Sequence, residues 1–506
     1  MRLFRWIGPG AVTFLALWLF LLVSGQSKLL RDPGTFWHTA TGELILREGF
    51  IQTDPYSFTF AGKPWVPYEW LGEVAMALVH RAGGFDAQLL GAVTLVAAVF
   101  AWLAVRLLRI GLRPFPVVIL VAISFAAAAS NLLVRPHLVT IAGLAVTAVW
   151  LADCDLGRCR LRRLAWLIPL NAVWANVHGG VLGGIGTVWI ASAGWVVFWR
   201  LGRPSPVQSW SDAGWLAAIG LGCGLAVLLN PYGLDLVRTW FLIMGEPAIK
   251  RIIQEHQPLD PLDPSAWPIF GLVAVYLLVL VGVPLRSLRV TWLLPLVWLL
   301  MAVDRVRHGP LFAVMTLVAI AAMFTSTRWA GWLGRNRPEY YRPPGNEPRR
   351  PLWTNLWLPI LAVSIALALQ VFRVSVPVIG AGWARHDSDH WPIELLDVLK
   401  EHEPRPPAGN RLFNDLIDGG FAIYHVPGYK VFVDDRCELY GGAWLTEFVA
   451  ADANVRPAIA KWEARYGRFD FALTRTGTPF DDYFRAAPSW ELVKRTDTAT
   501  FYKRRG

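Results

Sequence analysis

"IGPGAVTFLALWLFLLVSG" (Ile7–Gly25) is followed six residues later by "RDPGTFWHTATGELILREGFIQTDPYSF" (Arg31–Phe58). The first stretch is apolar and about as long as a membrane crossing requires, roughly 20 residues. Arg2 and Arg5 precede it, as they would in a signal peptide, but its length and the many later apolar runs favour a retained helix. The second stretch is polar enough to have left the membrane, yet it is patterned. Asp32-Pro33 supplies an N-cap and a first helical residue. Phe36, Trp37, Ala40, Leu44 and Ile45 recur at helical spacing, and Arg47, Glu48 and Gly49 suit a helix end. The reading is an amphipathic helix at the membrane interface, anchored by Trp37.

The composition agrees. Of 506 residues 55% are hydrophobic and only 17% charged, below the quarter usual for a soluble chain of this kind. The excess apolar content falls in about eleven runs. Their approximate spans are Ile7–Gly25, Leu89–Leu108, Phe115–Val134, Leu138–Leu151, Leu164–Ala175, Val181–Trp199, Trp215–Leu229, Trp267–Val283, Val290–Val303, Pro310–Phe324 and Leu352–Val371. Leu164–Ala175 is short and reads as re-entrant or shielded by neighbours.

The net charge of +11 belongs to topology rather than to nucleic acid. Arg106/Arg109/Arg113, Arg158/Arg160/Arg162/Arg163, Arg200/Arg203, Arg286/Arg289 and the Arg328–Arg350 linker fall in alternate loops. The positive-inside rule makes those loops cytoplasmic, with the N-terminus inside. Residues 325–351 are then a cytoplasmic Pro- and Arg-rich linker. The opposite loops are outside. They hold the first loop (26–88), "NLLVRPH" (Asn131–His137), "WANVHGG" (Trp174–Gly180), "NPYG" (Asn230–Gly233) with the segment to Ser265, and "DRVRHG" (Asp304–Gly309). Every polar motif with chemical potential thus faces one side.

Beyond the last span, residues 380–506 form an outer α/β domain. "NRLFND", "KVFVDDR", "FDFALT" and "TATFYKR" read as strands, and "WPIELLDVLKEH" and "AIAKWEARYG" as amphipathic helices. Asp434, Asp435 and Arg436 end one of these strands, where turns and ligand sites both occur. The fold class is a polytopic α-helical membrane protein: a membrane domain over 1–372, then the outer α/β domain. The four cysteines give neither a disulfide framework nor a metal signature.

Asp32 and Asp54 are the candidate bases of the first loop, each also a good cap or turn residue. His38, Glu69 and Glu73 add acid–base capacity beside them. Arg135, His137 and His178, with Arg305, Arg307 and His308, supply cations suited to a phosphate, or to interfacial snorkelling. No P-loop, dinucleotide fingerprint, G-x-S-x-G or H-E-x-x-H motif occurs.

"DPGTFWHTATGELILREGFIQTDPYSFTFAGKPWVPYEWLGEV", followed by "RPH", "WANVHGG" and "NPYG", resembles a group of bacterial polytopic proteins associated with the C-superfamily (GT-C) of integral-membrane glycosyltransferases. That superfamily includes protein O-mannosyltransferases, the aminoarabinose transferase of lipid A and oligosaccharyltransferases. The resemblance covers the architecture of the whole chain. It implies a polyprenyl-phosphate-linked sugar as donor, an Asp of the first outer loop as base, and an inverting transfer to a glycan, lipid or protein acceptor hydroxyl. By position Asp32 matches the base, with Asp54 second, and Arg135, His137 and His178 would contact the donor phosphate. No cofactor is certain, and a divalent metal is possible because superfamily members differ on it. The implied location is the bacterial cytoplasmic membrane, working at its outer face. Two other classes fit the same outline: a flippase for a lipid-linked glycan, and a membrane-anchored binding or assembly protein. The first predicts central membrane charges and an inverted repeat, which the sequence lacks. The second predicts that the outer domain alone carries binding.

Overall fold

In the computed structural model, residues 6–345, 351–405 and 409–506 are described. Arg2, Arg5 and the 346–350 end of the predicted linker lie outside them.

Apolar runs become helices wherever they are long enough to satisfy their own backbone. Among the described residues seven helices are long and apolar enough to cross a membrane: Trp70–Arg109, Pro114–Asn131, Leu138–Asp155, Val181–Arg200, Pro264–Val281, Val306–Ser326 and Trp353–Val371. Four further predicted spans correspond to shorter helices. These are α1 (Pro9–Ser24), Leu167–Val177, Trp210–Ala226 and the segment Val290–Asp304. The span Val306–Ser326 sits at the centre, with 89% of its apolar window buried, so its neighbours rather than lipid surround it.

The predicted interfacial helix is α2 (Pro33–Glu48). Asp32 caps it, accepting the Gly34 N–H at 2.7 Å, and Gly49 ends it at a φ of 89° that a side chain would resist. It packs on α3 (Trp70–Arg109), which starts inside the first loop and runs on as a membrane span. Gly83 and Gly84 break the helical geometry of α3, with Gly84 at φ 68°. Gly42 of α2 permits close contact there, since a Cβ would come within 2.0 Å of the Glu73 carbonyl oxygen.

The C-terminal region carries a five-stranded sheet in the order β2-β1-β3-β5-β4. The strands are β1 (Arg411–Asn414), β2 (Lys430–Val431), β3 (Phe471–Arg475), β4 (Trp490–Arg495) and β5 (Ala499–Arg504). β1 pairs in parallel with β2 and β3; β5 pairs antiparallel with β3 and β4. "WELVKR" was not anticipated as a strand.

The β2 edge is not left open. Ser57 of the first loop bridges Val431 in parallel, through Phe58 N–H to Val431 O (3.1 Å) and Val431 N–H to Tyr56 O (3.2 Å). Covering an edge in this way removes a row of unpaired backbone groups. Trp37 and Trp65 share an apolar core with Leu412, Val431, Phe471 and Phe501, while Phe58 and Phe60 pack on a second core with Phe432 and Trp444. The first loop therefore packs as part of the C-terminal region as well as on the membrane helices.

Candidate active site

A cavity of about 720 Å³ lies between the membrane helices and the C-terminal region. Its floor is apolar, with Ile141, Leu182, Trp298, Met301 and Leu311 from four helical segments. Its polar wall comes from loops far apart in sequence: Asp32, Glu69, Arg135, His137, His178, Glu255, His256, Arg305, Arg307 and His308. The C-terminal region closes it with Leu416, Ile417, Asp435, Cys437 and Glu438.

Charges alternate along the wall. Arg135 Nη1 reaches Asp32 Oδ2 at 3.0 Å and Glu255 Oε2 at 3.8 Å. Arg307 Nη1 lies 3.2 Å from Glu255 Oε1 and also donates to His256 Nε2. Arg305 Nη1 lies 3.1 Å from His256 Nδ1. A neutral imidazole has one acceptor nitrogen, so two guanidiniums compete for a single lone pair. Burial and the charge of Arg307 push His256 down to about 3, which keeps it neutral. Burial pushes the Glu255 carboxyl up, but Arg307 and Arg135 outweigh it and hold the group below the usual carboxylate range. The guanidiniums thus have more donors than the wall has acceptors, which favours an anion.

His178 aims a donor at the cavity. Its Nδ1 is hydrogen-bonded by Thr140 Oγ1 (2.8 Å) and the Gly180 N–H (2.9 Å), and Thr140 in turn accepts from Trp174 Nε1 (3.0 Å). With Nδ1 accepting, the ring proton sits on Nε2, which lies 3.5 Å from Glu69 Oε1. Burial, then Arg307, lower the His178 pKa well below its ordinary value. His137 differs. Its Nε2 donates to the Asn131 carbonyl at 2.8 Å, so the neutral ring has no second N–H for a phosphate. Burial and Arg135 push it down to about 4, and its evident task is to hold the Asn131 loop.

Glu69, His38 and Glu73 form a buried line leading away from the cavity. His38 Nε2 is 3.5 Å from Glu69 Oε2, and His38 Nδ1 is 3.0 Å from Glu73 Oε1. Burial pushes Glu69 up to about 8 despite Arg135 and Arg307. His38 and Glu73 are not among the cavity-lining residues.

Asp54, read from sequence as a second candidate base, also lies outside the cavity lining. Its Oδ1 sits 2.8 Å from Arg436 Nη2, and neither side chain is exposed. Its Oδ2 accepts the Ser57 hydroxyl and the Ser57 N–H. A carboxylate locked in this way has no path to a substrate proton, so its geometry favours an anchoring role.

Glu255, His256 and Glu438 were not singled out in the sequence. Glu255 and His256 stand in a 3-10 turn (Gln254–His256) that follows two short helices, Leu234–Gly245 and Pro247–Ile252, in a stretch read from sequence only as an outer segment. Asp435 was noted only as a strand end. Among the described residues no group of three or more His, Cys, Asp or Glu is arranged to hold a metal ion.

No family model and no curated protein matches the sequence. Solved structures to which the chain is similar include an Archaeoglobus fulgidus oligosaccharyltransferase tethered with an acceptor peptide. It is 12% identical, with a TM-score of 0.47 over 91% of this chain and 69% of that one. The archaeal oligosaccharyltransferase AglB from the same organism, in complex with an inhibitory peptide and a dolichol-phosphate, is 10% identical. Its TM-score is 0.47 over 92% of this chain and 69% of that one. ArnT from Cupriavidus metallidurans, bound to undecaprenyl phosphate, is 14% identical, with a TM-score of 0.40 over 99% of this chain and 96% of that one.

Proposed function

We propose that the protein transfers a sugar from a polyprenyl phosphate to an acceptor hydroxyl at the outer face of a bacterial cytoplasmic membrane. One observation carries the reading: Asp32, Arg135, His178 and Arg307, from four chain segments far apart in sequence, line a single cavity whose floor is membrane-helix apolar surface. A ligand matched to it has an anionic head and a hydrocarbon tail.

The hydroxyl oxygen attacks the anomeric carbon as the bond to the phosphate oxygen breaks, inverting that carbon. The leaving polyprenyl phosphate gains a negative charge, which Arg135, Arg307 and the His178 Nε2–H stabilise. The hydroxyl proton goes to a carboxylate of the cavity, and of the two first-loop candidates Asp32 is the one on its wall. Reconstituted protein given labelled undecaprenyl-phosphate mannose or glucose, with octyl glucoside as hydroxyl acceptor, is expected to form a glycosylated product. Retention of full transfer by Arg135→Ala/Arg307→Ala would sink the reading.

A further inference from the structure

Asp32 has little freedom to act as a base. Its Oδ1 accepts the Gly34 N–H at 2.7 Å and its Oδ2 accepts Arg135 Nη1 at 3.0 Å. Asp260 and Asp263, exposed at the rim of the cavity, each accept a loop N–H, from Leu262 at 2.9 Å and Ser265 at 2.8 Å, and three deeper carboxylates are also committed. Glu255 is held as an anion of low basicity by Arg307 and Arg135. Glu438 accepts the Trp65 Nε1–H at 3.0 Å. Glu69 is protonated below about 8 and faces His178.

Asp435 and Glu69 each have a carboxylate oxygen without a hydrogen-bond partner, but Glu69 Oε2 faces His38 Nε2 at 3.5 Å in the buried line leading away from the cavity. Asp435 lines the cavity, and its Oδ1 is inaccessible to solvent and has no hydrogen-bond partner. Its neighbours on either side point elsewhere: Asp434 pairs with Arg436 through both carboxylate oxygens (2.7 Å each), and Arg436 reaches Asp54. The Arg436 guanidinium also lies over the Tyr56 and Trp65 rings, 5.0 and 4.5 Å from their centroids. The Arg436 N–H donates to Asp434 Oδ1 (3.0 Å) and the Cys437 N–H to the Asp435 carbonyl (2.8 Å). Asp435 is thus presented from a loop pinned on both flanks, as a preorganised catalytic group requires.

We propose that Asp435, carried by the C-terminal domain, is the base that takes the acceptor's proton, and that Asp32 serves to anchor Arg135 on the donor phosphate. The inference rests on the reading of the cavity as a glycosyl-transfer site. The acceptor oxygen forms its bond to the anomeric carbon, the carbon–phosphate-oxygen bond breaks with its electron pair on the phosphate, and the hydroxyl proton moves to the Asp435 carboxylate. Burial, and then the charge of Asp32, push the Asp435 carboxyl well above the usual carboxylate range, so a proton taken up there is held more firmly than on an ordinary carboxylate. Asp54 becomes a positioning residue, acting through Arg436.

The test uses the full chain in proteoliposomes, with labelled undecaprenyl-phosphate mannose and glucose as donors, octyl glucoside as acceptor, and thermal stabilisation by undecaprenyl phosphate as a second readout. Asp435→Asn is expected to lower kcat by about a hundredfold or more and to abolish the acid limb of the kcat–pH profile. It should keep the thermal shift of the wild type, and Asp435→Glu should restore part of the rate. Asp32→Asn should instead raise the donor KM and shrink the thermal shift. An Asp435→Asn enzyme with wild-type kcat, or one that loses the thermal shift along with transfer, overturns the assignment. A wild-type protein that neither transfers sugar nor is stabilised by undecaprenyl phosphate overturns the functional reading itself, and the base assignment with it.

Discussion

Asp54 and Arg436 meet at 2.8 Å with both side chains wholly buried, joining the first loop to the C-terminal sheet. Asp434 completes the group by accepting from Arg436 Nε and from the same Nη2 that meets Asp54 (2.7 Å each), and Tyr440 donates its hydroxyl to Asp434 Oδ2 at 2.9 Å. Removing one member of a buried ionic group leaves an uncompensated charge, which is more costly than never having had the pair. Asp54→Ala is therefore expected to destabilise the protein by about 3–5 kcal/mol, read by thermal unfolding in detergent. A change below about 1 kcal/mol would place the anchoring elsewhere.

The guanidinium wall predicts that an anionic lipid headgroup in the cavity is held by Arg135 and Arg307. Arg135→Ala and Arg307→Ala should each weaken undecaprenyl phosphate binding by about 10–100-fold, or about 1.4–2.8 kcal/mol. Native mass spectrometry against a lipid series measures this. His137→Ala should act through stability more than through phosphate affinity, because its N–H is spent on Asn131.

Glu69 supplies a pH signature. Its carboxyl is raised to about 8 in the folded protein, against an ordinary value near 4.5. The folded state then holds a proton that the unfolded state releases between those values, so stability falls as pH rises from about 4.5 to 8. Glu69→Gln removes that dependence. Measured side by side, the difference in Tm between Glu69→Gln and wild type should shift in favour of the variant from pH 5 to pH 8. Parallel curves would contradict the raised carboxyl.

Gly420 tests the docking of the C-terminal domain. Its helix (Leu416–His425) lies against α2, and a Cβ at Gly420 would come within 2.3 Å of the Pro33 carbonyl oxygen. Gly420→Val must push the two helices apart, at a cost of about 1–3 kcal/mol. Trypsin should release a C-terminal fragment faster from the variant than from wild type.

Much of the membrane domain was legible because its physics is local. An apolar run of sufficient length makes a helix whatever surrounds it, so most spans could be read within a few residues. The Asp32 cap and the Gly49 stop of α2 are equally local and were read correctly. The short spans were harder: Leu167–Val177 and Trp210–Ala226 fall short of a full crossing, and only packing against neighbours makes room for them. The site was legible in parts. Asp32, Arg135, His178 and Arg307 were recognisable as chemistry-bearing types in loops assigned to one side. That Asp32 ends on the cavity wall and Asp54 in a sealed ion group depends on Arg436, nearly the whole chain away. Glu255 carries no periodic signal, and Asp435 is distinguished only by what Asp434 and Arg436 do on its flanks.

The seam between the first loop and β2 also sets a schedule. Thr59 donates its hydroxyl to the carbonyl of Phe432, a partner 373 residues further along the chain. At about 5–20 residues per second of synthesis, that partner follows after roughly 20–75 s. Throughout that interval the loop has no sheet edge to join, and Asp54 keeps its hydration shell. The cavity is therefore closed only after Leu416, Ile417, Asp435, Cys437 and Glu438 have been made, long after the helices of its floor.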